Sequence, residues 1–196
     1  GIAMGLVYAE GKYTTLTDRD LPRHAAKLVS EGNVVGWFQG RMEFGPRALG
    51  ARTILADPRD PKMRDTLNMK IKFREGLRPF APSVLMDNAP EWFEIDCDSP
   101  YMLLVAQVRE GKRTIPSVTH VDNSARLQTV TREEAPLYSD VLSEFEKITG
   151  VRERLVVPTQ IAGPRGLLVP GELVGTDTGP VPAVDGGAVS VGPALA

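Results

Sequence analysis

At 196 residues the chain is sized for one domain, and 42% hydrophobic with 24% charged residues is ordinary for a soluble globular fold. No stretch approaches the roughly 18 uninterrupted apolar residues of a membrane helix, Cys97 stands alone and excludes an internal disulfide or a thiolate zinc cluster, and His24 and His120 are too few for a complete metal site. The net charge of −2 hides a local excess, because residues 41 to 78 carry ten Lys or Arg against five Asp or Glu, a segment suited to drawing anions into a concave site.

The opening GIAMGLVYAEGKY turns polar too soon for a secretory signal, so a cytoplasmic location is expected. Residues 1–17 show no period and read as a linking segment that leads into the fold. Asp20 is expected to cap a first helix with Pro22 in its first turn, in which Leu21, Ala25, Leu28 and Val29 repeat at helical spacing until Gly32 stops it. The run Asn33 to Gln39, NVVGWFQ, is short, β-branched and aromatic, the pattern of a buried strand. A second strand is predicted over Arg52 to Ala56. Asp57, Pro58, Asp60 and Pro61 then mark a turn and a helix start, and Met63, Leu67 and Ile71 give that helix an apolar stripe. Further strands are predicted over Ala81 to Met86, Met102 to Val108 and Ala125 to Val130. A turn or short helix over Pro90 to Glu94 and a turn at Gly111 and Lys112 separate them. Leu137 to Thr149 reads as a helix closed by Gly150, followed by a brief strand at Leu155 to Val157. From Pro158 onward 14 of 39 residues are Gly or Pro. Loops or disorder are expected there, with a short strand at Ala188 to Val191 as the exception. The whole pattern predicts an α+β fold, a twisted mixed sheet with flanking helices and an irregular C-terminal tail, with residues 18–157 as the main domain and 158–196 as a divergent segment of it.

Three segments could carry chemistry. In GRMEFGPRALGART, Gly40 to Thr53, three glycines let the backbone come close to a ligand, and Arg41, Arg47 and Arg52 offer planar forks that suit phosphate. The spacing is neither a Walker A loop nor a dinucleotide fingerprint, and an Arg-rich surface loop is the plainer alternative. In KFREGLRPFAPS, Lys72 to Ser83, Lys72, Arg74 and Arg78 can meet one ligand only if Gly76 and the prolines hold the loop stiffly; otherwise it is a solvated charge run. In HVDNSARLQTV, His120 to Val130, Arg126 lies among apolar neighbours and a buried arginine needs an anionic partner. His120 reads as a hydrogen-bonding helper. Trp37 and Phe38 read as core, which leaves no stacking platform for a nucleic acid.

These segments, within GWFQGRMEFGPRALGARTILADPRDP, LNMKIKFREGLRPFAPSVL and HVDNSARLQTV, resemble the C-terminal domain of the O-carbamoyltransferases that act on antibiotics and nodulation factors, including the tobramycin and cephamycin enzymes, from about Val34 to Leu155. The resemblance implies a YrdC-like fold and a domain that binds ATP and carbamoyl phosphate and forms carbamoyladenylate. It also implies a separate Kae1-like, metal-binding N-terminal domain that passes the carbamoyl group to a hydroxyl acceptor, with iron or a similar metal expected only there. Carried over by position, Arg47, Lys72, Arg78 and Arg126 are the implied catalytic and phosphate-gripping residues, with Arg52 and Thr159 as further nucleotide-binding candidates. Mg2+ is implied on the leaving pyrophosphate, with no protein ligand named. No membrane or nucleic-acid partner is implied.

The sequence departs from the family where relatives place an Asn-Thr-Ser segment, since Pro158, Thr159 and Gln160 stand there and Pro158 has no backbone donor. That departure keeps two alternatives open: a degenerate domain that binds nucleotide without turnover, and an enzyme like the threonylcarbamoyl-adenylate synthases.

Overall fold

Thr17 begins the ordered helical core of the chain in the computed structural model, which describes residues 13–149, 159–160, 173–175 and 187–192. Its Oγ1 accepts the Asp20 N–H at 3.2 Å and donates to Asp20 Oδ2 at 2.6 Å, which ties the helix start to the turn before it. Asp20, expected as the cap, is therefore the first helical residue of α1, Asp20–Ser30. Leu21, Ala25 and Val29 are buried as their spacing predicts. Gly32, at φ 87°, ends the helix and lets the Asn33 N–H reach back to the Leu28 carbonyl at 3.1 Å.

The main sheet has six strands: β1 (Tyr13–Thr15), β2 (Val34–Gln39), β3 (Arg52–Leu55), β8 (Thr159–Gln160), β9 (Leu173–Gly175) and β10 (Gly187–Gly192). Their order is β1-β9-β10-β2-β3-β8, with β1 parallel to β9 and every other pair antiparallel. The sheet is mixed and the fold is α+β. Alternation along β2 and β3 divides two cores. Val35, Trp37 and Leu55 pack with α1 and with Tyr138, Val141, Leu142 and Phe145 of α4, Pro136–Thr149. Val34 and Ile54 pack on the other side with Phe80, Trp92, Phe93, Ile115 and Leu127. Fully burying Trp37 alone is worth about 2 to 3 kcal/mol, so each core holds several such anchors.

Between these layers runs a more irregular middle. Helix α2, Met63–Asp65, continues as a π-helical stretch over Thr66–Ile71, in which the Lys72 N–H reaches the Leu67 carbonyl at 2.8 Å. Met63 and Leu67 are buried and Ile71 partly so, as the stripe predicts. Strand β4 (Ser83–Leu85) lies parallel to β7 (Gln128–Val130), and β5 (Ala106–Gln107) lies antiparallel to β6 (Ser124–Ala125). Helix α3 spans Ala89–Trp92, and 3-10 turns occupy Met86–Asn88 and Glu110–Lys112.

Tyr13–Thr15, within the segment read as a linker, forms β1 of the main sheet by pairing with β9, and three further expectations change. The strand expected over Met102 to Val108 shrinks to Ala106–Gln107: Met102 turns at φ 53° and Leu103 and Val105 stand in solvent. The strand expected over Ala125 to Val130 breaks after Ala125, because Ser124–Ala125 joins one sheet and Gln128–Val130 another. The tail after Pro158 supplies three strands of the main sheet where one was expected, since β8 and β9 join the anticipated β10. Gly150 and the strand expected at Leu155 to Val157 lie outside the described residues. No described helix is long and apolar enough to cross a membrane.

Candidate functional site

The loop from Gly40 to Gly50 joins β2 to β3, and one carboxylate organises it. Glu43 Oε1 accepts the N–H groups of Leu49 at 2.8 Å and Ala51 at 2.7 Å. Arg52 holds the same loop from the strand end, donating Nε to the Glu43 carbonyl at 3.2 Å and Nη2 to the Gly45 carbonyl at 2.6 Å, with Glu43 Oε2 at 3.5 Å from its Nε. Gly50, at φ 111°, closes the turn against Tyr138, where a Cβ would meet the ring at 2.6 Å. Burial pushes the Tyr138 phenol well above its ordinary range, so the ring is a neutral packing wall.

A buried amide links this loop to the middle of the fold. Gln128 Nε2 donates to the Leu49 carbonyl at 2.7 Å, and Ser83 Oγ donates to Gln128 Oε1 at 2.9 Å. One side chain thus joins the loop that carries Arg47, the strand that follows the Lys72–Phe80 segment, and the strand that follows Arg126.

The three segments meet at a cleft of about 190 Å³ whose lining includes Arg47, Lys72, Arg74, Arg126, Phe80 and Met102. Arg126 sits where the chain crosses from one small sheet to the other, and its Nε is buried with no hydrogen-bond partner among the described residues. Burial, and then the Arg47 charge, disfavours the charged form of Arg126. Burial, and then the Arg74 charge, pushes the Lys72 ammonium down to about 8. Burial also lowers Arg74, followed by the Arg78 charge, against an opposing contribution from Glu75. Among the described residues no carboxylate forms an ion pair with Arg47, Lys72, Arg74 or Arg126, whereas Arg52, Arg59, Arg64, Arg78, Arg132 and Lys147 all have one. Packing like charges together without counter-charges costs stability, and an arriving anion would offset that cost. A roomier cleft of about 380 Å³ between α1 and α4 lacks this property, since its Arg132 pairs with Asp140 and its Lys147 with Glu144.

Of the residues singled out in the sequence, the structure brings Arg47, Lys72, Arg74 and Arg126 together. Arg78 is exposed and ion-paired with Glu75 at 3.2 Å, outside the cleft lining though near enough to Arg74 to act on it. Arg52 is occupied in bracing the loop, Arg41 is exposed, and Thr159 lies in β8 opposite Ile54 of β3. His120 stands in a turn with Nδ1 2.9 Å from Ser124 Oγ, and Ser124 in turn donates to Asp122. Sequence reasoning gave no role to Glu43, Asn68 or Gln128. A single acid inside an arginine-rich loop was the one available signal for Glu43; the long-range partners of the two amides left none.

A family profile described as "Carbamoyltransferase C-terminus" matches residues 26–160, which takes in all of the cleft. The chain belongs to this carbamoyltransferase C-terminus family. Nodulation protein NolNO of Sinorhizobium fredii is 53% identical over 137 residues, 67% of this chain and 20% of the relative. Nodulation protein NolO of Bradyrhizobium diazoefficiens is 48% identical over 136 residues, 67% of this chain and 25% of the relative. An uncharacterised Synechocystis protein is 49% identical over 158 residues, 70% of this chain and 26% of its own length. The matched stretch is thus a fifth to a quarter of the length of these relatives of the family member described here.

Proposed function

We propose that this chain is the nucleotide-handling part of an ATP-dependent O-carbamoyltransferase, which binds ATP and carbamoyl phosphate and forms carbamoyladenylate. A Kae1-like N-terminal domain would then pass the carbamoyl group to a hydroxyl-bearing small molecule. The observation that carries this reading is the charge balance of the cleft, in which half-buried cations converge and, among the described residues, have no carboxylate partners and leave Arg126 Nε with nothing to donate to. Family membership supports the identity of the group transferred.

The chemistry asks for such a site. Water first hydrolyses carbamoyl phosphate to carbamate and inorganic phosphate; a carbamate oxygen then bonds to the α-phosphorus of ATP as the bond from that phosphorus to pyrophosphate breaks. Negative charge gathers on phosphate oxygens, where fixed cations stabilise it without reorganising. Arg47 and Arg126 are suited to bidentate contact with a phosphoryl group, and Lys72 to a point charge between the two reactants. The described residues include no cluster of three or more His, Cys, Asp or Glu to cage a metal. Magnesium, if bound with the nucleotide, would help neutralise the charge of the leaving pyrophosphate.

The test is exchange of labelled pyrophosphate into ATP by the chain joined to the remainder of its enzyme. Exchange that requires carbamoyl phosphate is expected. Nucleotide binding without exchange would identify a degenerate binder, and exchange driven by bicarbonate and threonine would identify a threonylcarbamoyl-adenylate synthase.

A further inference from the structure

Asn68 is fully buried in the π-helical stretch, and its side-chain amide is saturated. Its Nδ2 donates to the Gly76 carbonyl at 3.2 Å and to the Arg78 carbonyl at 2.9 Å. Its Oδ1 accepts Arg74 Nε at 2.7 Å, and its backbone carbonyl accepts the Arg74 N–H at 2.9 Å. One residue thus fixes both ends of the turn from Arg74 to Arg78 and the orientation of the Arg74 guanidinium. The chain enters this turn through Phe73 at φ 49°, a conformation that costs a bulky residue energy and persists only where its surroundings impose it. The Phe80 ring lies under the guanidinium, 5.0 Å from Arg74 Cζ to the ring centre. With Nε held from one side and the ring beneath, the remaining N–H donors of Arg74 are left for the cleft that it lines.

We infer that Arg74 is a further anion-gripping side chain of this cleft and that Asn68 is the positioning residue that aims it. The inference rests on the reading of the cleft as a phosphate site and deepens it. It does not depend on which phosphate-bearing substrate occupies the cleft. A π-helical turn adds one residue to the helix end, which places Asn68 directly under the loop; such turns recur at functional sites. Arg74 supplies a planar fork beside the Lys72 point charge, so the pair can hold two oxygens of one phosphoryl group.

The experiment is a double-mutant cycle on the full chain, read by calorimetric titration with inorganic pyrophosphate and by carbon NMR of the Lys72 side chain. Arg74→Gln should weaken pyrophosphate about tenfold, the scale of one charge-assisted hydrogen bond. Asn68→Ala should weaken it to a similar degree, and the double variant should be no worse than either one, because Asn68 acts only through Arg74. Both single variants should also raise the Lys72 titration midpoint, since Arg74→Gln removes the Arg74 charge and Asn68→Ala releases the guanidinium from its place beside Lys72. A merely structural Asn68 would lower thermal stability but leave that midpoint unmoved, and its effect on affinity would add to that of Arg74→Gln; either result overturns the inference. Should Asn68→Ala not fold, Asn68→Asp takes its place, because a carboxylate there pairs with Arg74 and withholds it from the anion. Pyrophosphate affinity unchanged in Arg74→Gln overturns the inference whichever partner variant is used. If the parent chain binds pyrophosphate through Arg74 yet ignores carbamoyl phosphate, the inference stands and the proposed function falls. The converse result retains the function and removes the inference.

Discussion

Arg126 keeps a buried Nε that donates to nothing among the described residues, a debit of about 1 to 3 kcal/mol in the free molecule. Arg126→Met should therefore raise unfolding free energy by about 1 kcal/mol while it weakens phosphate binding at least about tenfold. Urea denaturation and calorimetry on the same variant check this opposition; a variant that loses stability and retains affinity would show that Arg126 belongs to the core and not to the site. Lys72 makes a second prediction. Its pKa falls from 10.5 in the unfolded chain to about 8 in the folded one, so the folded state binds fewer protons between these values. Its contribution to stability accordingly rises with pH across that window and is flat below it. Anion affinity runs the other way, because the binding-competent form is the ammonium. Sulfate, which does not titrate in this range, should bind with constant affinity below about 8 and more weakly above it, by up to a factor of ten per pH unit. Lys72→Met should abolish that slope. The sequence made Arg47, Lys72 and Arg126 legible because arginines and lysines near glycines are few and chemically distinctive. It could not show that Arg78 turns out to Glu75 while Arg74 turns in, since that depends on the Asn68 amide bonds.

At the scale of elements, the site depends on how the Gly40 to Gly50 loop is clamped. Gly50→Ala combines φ 111° with a Cβ 2.6 Å from the Tyr138 ring, so it should cost about 2 to 4 kcal/mol. Gly32→Ala has an unfavourable φ of 87° and open space around it, so about 1 kcal/mol is expected. Comparable urea midpoints for the two variants would mean that the Tyr138 wall yields. Gln128→Leu leaves the Leu49 carbonyl and the Ser83 hydroxyl without that partner and should cost about 2 to 4 kcal/mol, with lower anion affinity because the three segments lose their common tie. Helices α1 and α4 and strands β2 and β3 were readable from periodicity because each presents one face, or alternate residues, to a core. The run at Met102 to Val105 misled because Leu103, Leu104 and Val105 face solvent, and hydropathy alone cannot say which apolar run finds a partner strand. The break at Arg126 and Leu127 was equally hidden, since a continuous β-like run gives no sign that its halves join different sheets. Strands β8 and β9 were missed for the opposite reason: Gly and Pro dominate their surroundings, and two or three residues pair with a sheet that the local composition does not announce.

Across the whole molecule, two apolar cores flank the main sheet, and the cationic cleft lies where the middle segments meet the β2–β3 loop. Apart from Arg41, Lys62 and Lys70, which are exposed, the local excess of positive charge that the sequence shows between Arg41 and Arg78 resolves into two populations. Arg52, Arg59, Arg64 and Arg78 are ion-paired, while Lys72 and Arg74 face the cleft with Arg47 and Arg126 and have no carboxylate partner among the described residues. Charge count alone cannot separate these populations; pairing can. The family match covers residues 26–160, the span that builds the cleft, while the curated relatives are four to five times the length of the matched stretch. The most direct measurement is a crystal structure of the chain with bound carbamoyl phosphate. The account predicts phosphoryl oxygens within hydrogen-bonding distance of Arg47, Lys72 and Arg126, with Arg126 Nε or its terminal nitrogens engaged. A phosphate bound instead between α1 and α4, or one that leaves those three side chains untouched, would contradict it.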